Sequence, residues 1–291
     1  MNKLKKVIIP IAGLGTRMLP ATKSLPKEML PLAGKPIIQI IVEEAIESGF
    51  SEIIFVTRDN NKDIKNHFET NAELENILEK QQKKTLLEEI KNISKLKANI
   101  FSVKQKKPMG LGHAILCAKS LIAGQPFAVM LPDMILNSNY KKNNLALMKQ
   151  KFEESGEPSI LLGKVKKSDL ENYGIVKLKK KTNKSTFFPL EDIIEKPAQK
   201  KAPSNLAVLG RYIFNNEILN YLSEEKPDSS QEIQLTGAIS KFLKSTKTVH
   251  GLILDGEVYD CGSKLGYLIA NLTFSLKDPY IKKEVLKYLK K

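Results

Sequence analysis

The chain has 291 residues, 42% of them hydrophobic and 27% charged, with no Trp and two Cys, which excludes a disordered chain, a collagen-like repeat and a disulfide scaffold. The formal charge of +15 invites a nucleic-acid reading, yet only Arg17, Arg58 and Arg211 are arginines, the residue favoured for base-edge and forked phosphate recognition. The many lysines are spread along the chain, so solvated faces and steering of a small anion are expected, with no nucleic acid as partner.

Segment 5–12 is an apolar run rich in β-branched residues and closed by Gly13, the pattern of a central strand buried on both faces. Lys3, Lys5 and Lys6 ahead of it imitate a secretory signal, but Thr16 to Pro20 offer no small-x-small cleavage site. Segment 36–49 carries Ile37, Ile38, Ile41, Val42, Ala45 and Ile46 at helical spacing, begun by Pro36 and stopped by Gly49. Segment 52–57 reads as a second buried strand. Strand, loop, helix and strand in that order predict a βαβ unit and a parallel sheet.

Segment 61–96 is polar and helical, with Leu74, Ile77, Leu78, Leu86, Leu87, Ile90 and Ile93 as its stripe, and predicts an inserted helical hairpin. Strand patterns return at Ile100–Val103, Phe127–Leu131, Ser159–Val165, Gly174–Leu178 and Leu206–Phe214, with a helix at His113–Ala123. Segment 179–189 reads as a solvated turn. The stretch 263–291 is helical, with Leu265, Leu268, Ile269, Leu272 and Leu276 on one side. The expected organisation is one large domain over 1–262 with a helical tail over 263–291. No run approaches the roughly 18 apolar residues of a membrane span. Cys117 and Cys261 lie far apart and His67, His113 and His250 are scattered, which argues against a thiolate zinc site or an HExxH centre. A cytoplasmic chain without a membrane partner is expected.

Ala12 to Met18 stand between the first strand and the first helix, where open α/β sheets bind ligands. The dinucleotide fingerprint GxGxxG fails because Met18 takes its third glycine position, and the P-loop fails for want of a Lys-Ser/Thr pair after a glycine. Gly13 and Gly15 still allow close backbone approach to a phosphate, and Arg17 adds a forked donor. The loop then runs on with stiffening prolines, Lys23 and Lys27 to Lys35-Pro36.

As a whole, GLGTR-x-LP-x-T-K-x-x-PKEMLP-x-x-x-KP resembles the signature of the sugar-nucleotidylyltransferases, in the KEM form rather than the KQ form of the thymidylyl branch. Gln105 with Gly110-Leu111-Gly112-His113-Ala114, Leu131-Pro132-Asp133, Tyr173-Gly174-Ile175-Val176 and Glu195-Lys196-Pro197 are similar to further motifs of that family, in order. So are Gly210-Arg211-Tyr212, Glu232 to Thr236, and the run from Tyr259 to Tyr267. One departure is Ser229-Ser230-Gln231, where the family often has a glycine run.

The resemblance implies an α/β Rossmann-like fold, with a mixed, mostly parallel sheet flanked by helices. It implies transfer of a uridylyl group from UTP to glucose 1-phosphate, giving UDP-glucose and pyrophosphate. The alternatives are dTTP or another sugar phosphate, or a regulator that binds nucleotide sugars without turnover. On the same ground Asp133 and Asp260 would hold Mg²⁺, Arg17 and Lys27 the β- and γ-phosphates, and Lys196 the sugar phosphate. Ala12, Gly13, Gln105 and Gly110 would meet the uracil, with Gly15 and Glu28 also on the nucleotide side. Gly174, Glu195 and Arg211 would serve the sugar. A homodimer or homotetramer is implied, with the 263–291 stripe either a contact between copies or packed on its own domain. The attacking phosphate is already ionised and needs no protein base, so His113 is read as structural.

Overall fold

Strand β1 (Lys6–Ile11) ends in the long loop over residues 12–36, whose three 3-10 turns are Thr16–Met18, Ala21–Lys23 and Lys27–Met29. A two-residue hairpin, β2 (Pro31–Leu32) and β3 (Lys35–Pro36), leads into α1 (Ile37–Glu47) and β4 (Glu52–Thr57). The computed structural model describes residues 3–58, 62–96, 98–139, 143–179 and 186–290. Most of the turn expected at 179–189 lies outside the described residues.

The helical segment resolves into three helices, α2 (Lys62–Phe68), α3 (Ala72–Lys80) and α4 (Lys84–Ser94), where a hairpin was expected. Asn71 caps α3 by accepting from the Leu74 amide, which starts a new helix inside the polar stretch. Next come β5 (Asn99–Lys104), α5 (Gly110–Cys117), α6 (Lys119–Ile122), β6 (Phe127–Met130), β7 (Met134–Ser138), α7 (Asn144–Ser155), β8 (Ser159–Lys164) and β9 (Ile175–Leu178). The chain continues through β10 (Phe187–Ile194), β11 (Leu206–Phe214), α8 (Ile218–Ser223) and α9 (Leu235–Lys244). It ends with β12 (His250–Ile253), β13 (Gly256–Asp260), α10 (Lys264–Ser275) and α11 (Pro279–Tyr288).

Nine strands form one sheet in the order β5-β4-β1-β6-β11-β8-β12-β10-β9. The half from β5 to β6 is parallel, as the βαβ pattern predicts. Beyond it β11 runs antiparallel to both β6 and β8, so the sheet is mixed and mostly parallel only in its first half. Alternation along β1 divides the core: Val7, Ile9 and Ile11 pack with α1 and α7 on one face, Ile8 with α5, α8 and α9 on the other. Two covered faces explain why β1 reads as a continuous apolar run.

Two irregularities position the site. Strand β11 slips register between Val208 and Tyr212, and Gly210 sits there at φ 72°. A Cβ on Gly210 would lie 2.8 Å from Leu131 Cβ, so glycine is needed both for the backbone and for the approach of the segment after β6. That segment then leaves the main sheet as β7 and pairs antiparallel with β13, placing Met134 opposite Asp260.

Candidate active site

The C-terminal ends of the parallel strands border a cleft of about 550 Å³, lined by the loop after β1, Lys27, Gln105, the start of α5 and Leu131 to Asp133. Asp133 stands at its floor, and beside it stands a second carboxylate, Asp260, 127 positions on in the chain. The β7–β13 pairing brings them together, and the Cys261 amide donates to the Asp133 carbonyl at 2.8 Å. A Cβ on Gly262 would lie 2.9 Å from Asp260 Oδ1 and 3.0 Å from Asp133 Oδ2, so the two carboxylates face each other across a methyl-sized gap.

Like charges this close need counter-charges, and the 12–36 loop supplies them. Lys27 Nζ lies 2.7 Å from Asp133 Oδ2 and Arg17 Nη1 lies 2.9 Å from Asp260 Oδ2. Burial by itself pushes the Asp133 carboxyl up, but the Lys27 charge and hydrogen bond override it and hold the group below the ordinary carboxylate range. Burial likewise acts to lower the Lys27 ammonium, and Asp133 with Glu28 outweighs it. Glu28 is buried with Oε1 unpartnered among the described residues, and burial lifts its carboxyl to about 7 against the pull of Lys27. The loop keeps its shape through Thr22, whose Oγ1 donates to the Gly15 carbonyl at 2.7 Å while Gly15 sits at φ 62°.

The end of the cleft expected to receive a nucleobase is lined by Gln105, Gly110 and the loop glycines. Residues 232–234 cross directly over the start of α5: Ile233 N donates to Met109 O, and Gly112 N to Ile233 O. A Cβ on Gly110 would come 2.8 Å from Glu232 Cβ, and one on Gly112 2.5 Å from Ile233 O, so both glycines are fixed by that crossing. The Glu232 to Thr236 motif thus braces the start of α5, and Glu232 itself lines the cleft. Where the family often has glycines, Asp228 closes the preceding turn, accepting from Ser230 N and Oγ, Glu232 N and Gln234 Nε2. The Ser230 hydrogen bond leads the effects that hold the Asp228 carboxyl below its ordinary value.

The sugar motifs also meet. Lys196 N donates to Tyr173 O at 3.1 Å, and a Cβ on Gly174 would lie 3.3 Å from Glu195 Oε2. Lys196, at φ 40°, leaves its side chain half exposed, 3.8 Å from Glu195 Oε1. Tyr173 links this group to the carboxylates: burial first, then the Asp260 charge, raises its phenol.

Arg211 corrects the sequence expectation. It is fully buried and its donors are taken, Nε and Nη2 by Glu44 at 3.0 and 2.7 Å, Nη1 by Leu131 O and Nη2 by Met134 O. A guanidinium so engaged has no face for a sugar. It brackets Pro132-Asp133 from behind and anchors that turn to α1. Gly262, Glu232 and Cys261 were not singled out for the site from the sequence. All three lie inside motifs the sequence offered, Glu232 to Thr236 and Tyr259 to Tyr267, where none of them had been given a role.

The chain belongs to the nucleotidyl transferase family, whose model matches residues 6–275. It is 42% identical over 289 residues, 98% of each chain, to a Haemophilus influenzae protein named UTP–glucose-1-phosphate uridylyltransferase. It is 43% identical over 280 residues, 95% of this chain and 92% of the other, to the Escherichia coli protein of that name. A solved structure described as UTP-bound UGPase from Acinetobacter baumannii superposes with a TM-score of 0.90 at 40% identity, covering 98% of both chains. A UDP-glucose pyrophosphorylase complexed with UDP-glucose gives 0.85 at 37%, covering 94% of this chain and all of the other.

Substituting Arg211→Met is expected to lower unfolding stability by about 3–5 kcal/mol, since it strands the mostly buried Glu44 and two carbonyls. Denaturant unfolding checks this; a loss under about 1 kcal/mol, the scale of an ordinary surface substitution, would contradict it.

Proposed function

We propose that this chain joins UTP and glucose 1-phosphate into UDP-glucose and pyrophosphate, with Mg²⁺. The observation that carries the reading is the paired-carboxylate floor with its two cations, set between a base end and a sugar end. The names of the full-length relatives support the same substrates. So do the UTP and UDP-glucose in similar structures.

The donor set suits the metal. Two hard carboxylates flank a small gap, and among the described residues no group of three or more His, Cys, Asp and Glu gathers into a cage. Mg²⁺ favours one or two carboxylates completed by substrate phosphates, and supplies charge neutralisation at the α-phosphate when bound there. Asp133 and Asp260 are the residues that hold it.

The chain's own groups then do the positioning. Ala12, Gly13, Gln105 and Gly110 receive the uracil, and Gly15 lets the loop backbone approach the phosphates. Lys27 and Arg17 leave their carboxylate partners for the β- and γ-phosphates, neutralising charge that grows on the departing pyrophosphate. Lys196 holds the sugar phosphate in line with the α-phosphorus, while Glu195 accepts from glucose hydroxyls beside Gly174. No side chain has to remove a proton, so orientation and charge neutralisation carry the rate.

Leu265, Leu268 and Leu272 remain exposed on α10, while Tyr267 and Asn271 of the same helix bond back to Pro31 O. The outward stripe supports a homodimer or homotetramer; a single-chain mass in sedimentation would contradict it. Among the described residues no helix is long and apolar enough to cross a membrane, and the cysteine usage supports a cytoplasmic setting.

Pyrophosphate release with Mg²⁺, crossing UTP and dTTP against glucose and galactose 1-phosphates, tests the reading. Release is expected with UTP and glucose 1-phosphate, lost in EDTA and reduced at least 100-fold by Asp133→Asn in folded protein. Activity chiefly with dTTP, or unchanged turnover in Asp133→Asn, would overturn it.

A further inference from the structure

His113 lies outside the catalytic scheme, yet its ring sits against the side chain that meets the base. Gln105 ends β5, its amide N held by Thr57 O at 2.7 Å, and its side chain is 4% exposed. Gln105 Nε2 lies 3.0 Å from Gly110 O and 3.0 Å from His113 Nδ1. A backbone carbonyl only accepts, so the Gln105 atom facing Gly110 must be the NH₂ group. Its second hydrogen points to His113, whose Nδ1 must then be an unprotonated acceptor, with the ring hydrogen on Nε2. Cys117 Sγ, one helical turn on, lies 3.8 Å from Nε2 and 4.0 Å from Nδ1, packed against the ring without selecting either nitrogen.

Both amide hydrogens of Gln105 are therefore consumed, and Oε1 has no hydrogen-bond partner among the described residues. Oε1 is the only polar side-chain atom Gln105 has left to offer the cleft that it lines. Beside it, Gly110 is the first residue of α5, so its N–H has no carbonyl within the helix. An acceptor next to a donor complements a ring edge that presents N–H beside C=O, as the N3–C4 edge of uracil does. The same edge of cytosine presents a bare nitrogen beside an amino group and needs the reverse order. A free glutamine could supply that order by turning its amide over; held here, it cannot do so without losing the hydrogen bond to Gly110 O and forcing His113 to move its ring proton to Nδ1.

We propose that His113 is a specificity-determining positioning residue: accepting at Nδ1, it joins Gly110 O in holding the Gln105 amide in the orientation that accepts from an imino N–H and rejects a cytosine-type edge. The inference rests on the proposed use of this cleft for the nucleobase of a uridine nucleotide.

The test compares UTP with CTP, as kcat/KM for pyrophosphate release and as equilibrium binding by calorimetry, in wild type, His113→Leu and His113→Asn. Leucine removes the acceptor, and the UTP-to-CTP ratio is expected to fall about tenfold, through KM more than kcat. Asparagine returns an acceptor near the Nδ1 position and is expected to restore the ratio to within about threefold. An unchanged ratio in His113→Leu, or no rescue by asparagine, overturns the proposal, and a thermal-unfolding measurement on each variant separates the ratio from loss of folded protein. A wild type that neither binds nor turns over UTP overturns the functional reading itself, which is a different result from an intact wild type with an indifferent His113.

Discussion

Two carboxylates held across a methyl-sized gap repel each other, and much of this architecture serves to hold them there. Asp133 and Asp260 come from distant parts of the chain and meet only because β7 leaves the main sheet to pair with β13. Arg211 clamps the Asp133 turn from below at Leu131 O and Met134 O, and Glu44 on α1 holds the guanidinium in turn. Gly210 and Gly262 are two of the places where a side chain would break the arrangement, one behind the turn and one beside the carboxylates. The repulsion is balanced by Lys27 and Arg17, brought over by the loop between β1 and α1.

That balance also prepares the site for its ligands. Lys27 lies at the floor of the cleft and Arg17 reaches Asp260 beside it, so each cation is already paired with a carboxylate. A triphosphate and a divalent cation can exchange partners with the four side chains, cation to phosphate and carboxylate to metal, without a change in net pairing. On the proposed function, each ion pair of the free protein would compete with one ligand and hold the place of the other. The loop is suited to the exchange: Arg17 is more than half exposed, while Lys27, near 17% exposed, is held close to the floor.

The first half of the fold was legible because each parallel strand is buried on both faces and written as an unbroken apolar run. The α1 and β4 predictions hold almost to the residue. Strands β7, β10, β12 and β13 were not foreseen. They are short or mixed in burial, and β7 and β13 exist only through each other. The three helices of 62–94 read as a hairpin because their caps are polar residues inside a polar stretch. At the site, the ordered motifs placed Asp133, Asp260, Lys27, Arg17, Gln105 and Gly110 about one cleft, and Glu195, Lys196 and Gly174 together beside Tyr173. Arg211 misled, since a motif marks that a residue is needed and not the side of the strand on which it works. The Gln105–His113 contact was hidden because their spacing joins the end of a strand to the second turn of a helix.

The partner exchange is the claim on which this account turns, and direct Mn²⁺ binding, followed by its electron paramagnetic resonance signal, tests it in wild type and Lys27→Met. Removing Lys27 frees Asp133 from its competitor, so in the absence of nucleotide the variant should bind Mn²⁺ more tightly than wild type while binding UTP more weakly. If Lys27→Met weakens Mn²⁺ binding in the nucleotide-free protein, or leaves UTP affinity unchanged, the ion pairs are not exchanged for ligands and the account fails.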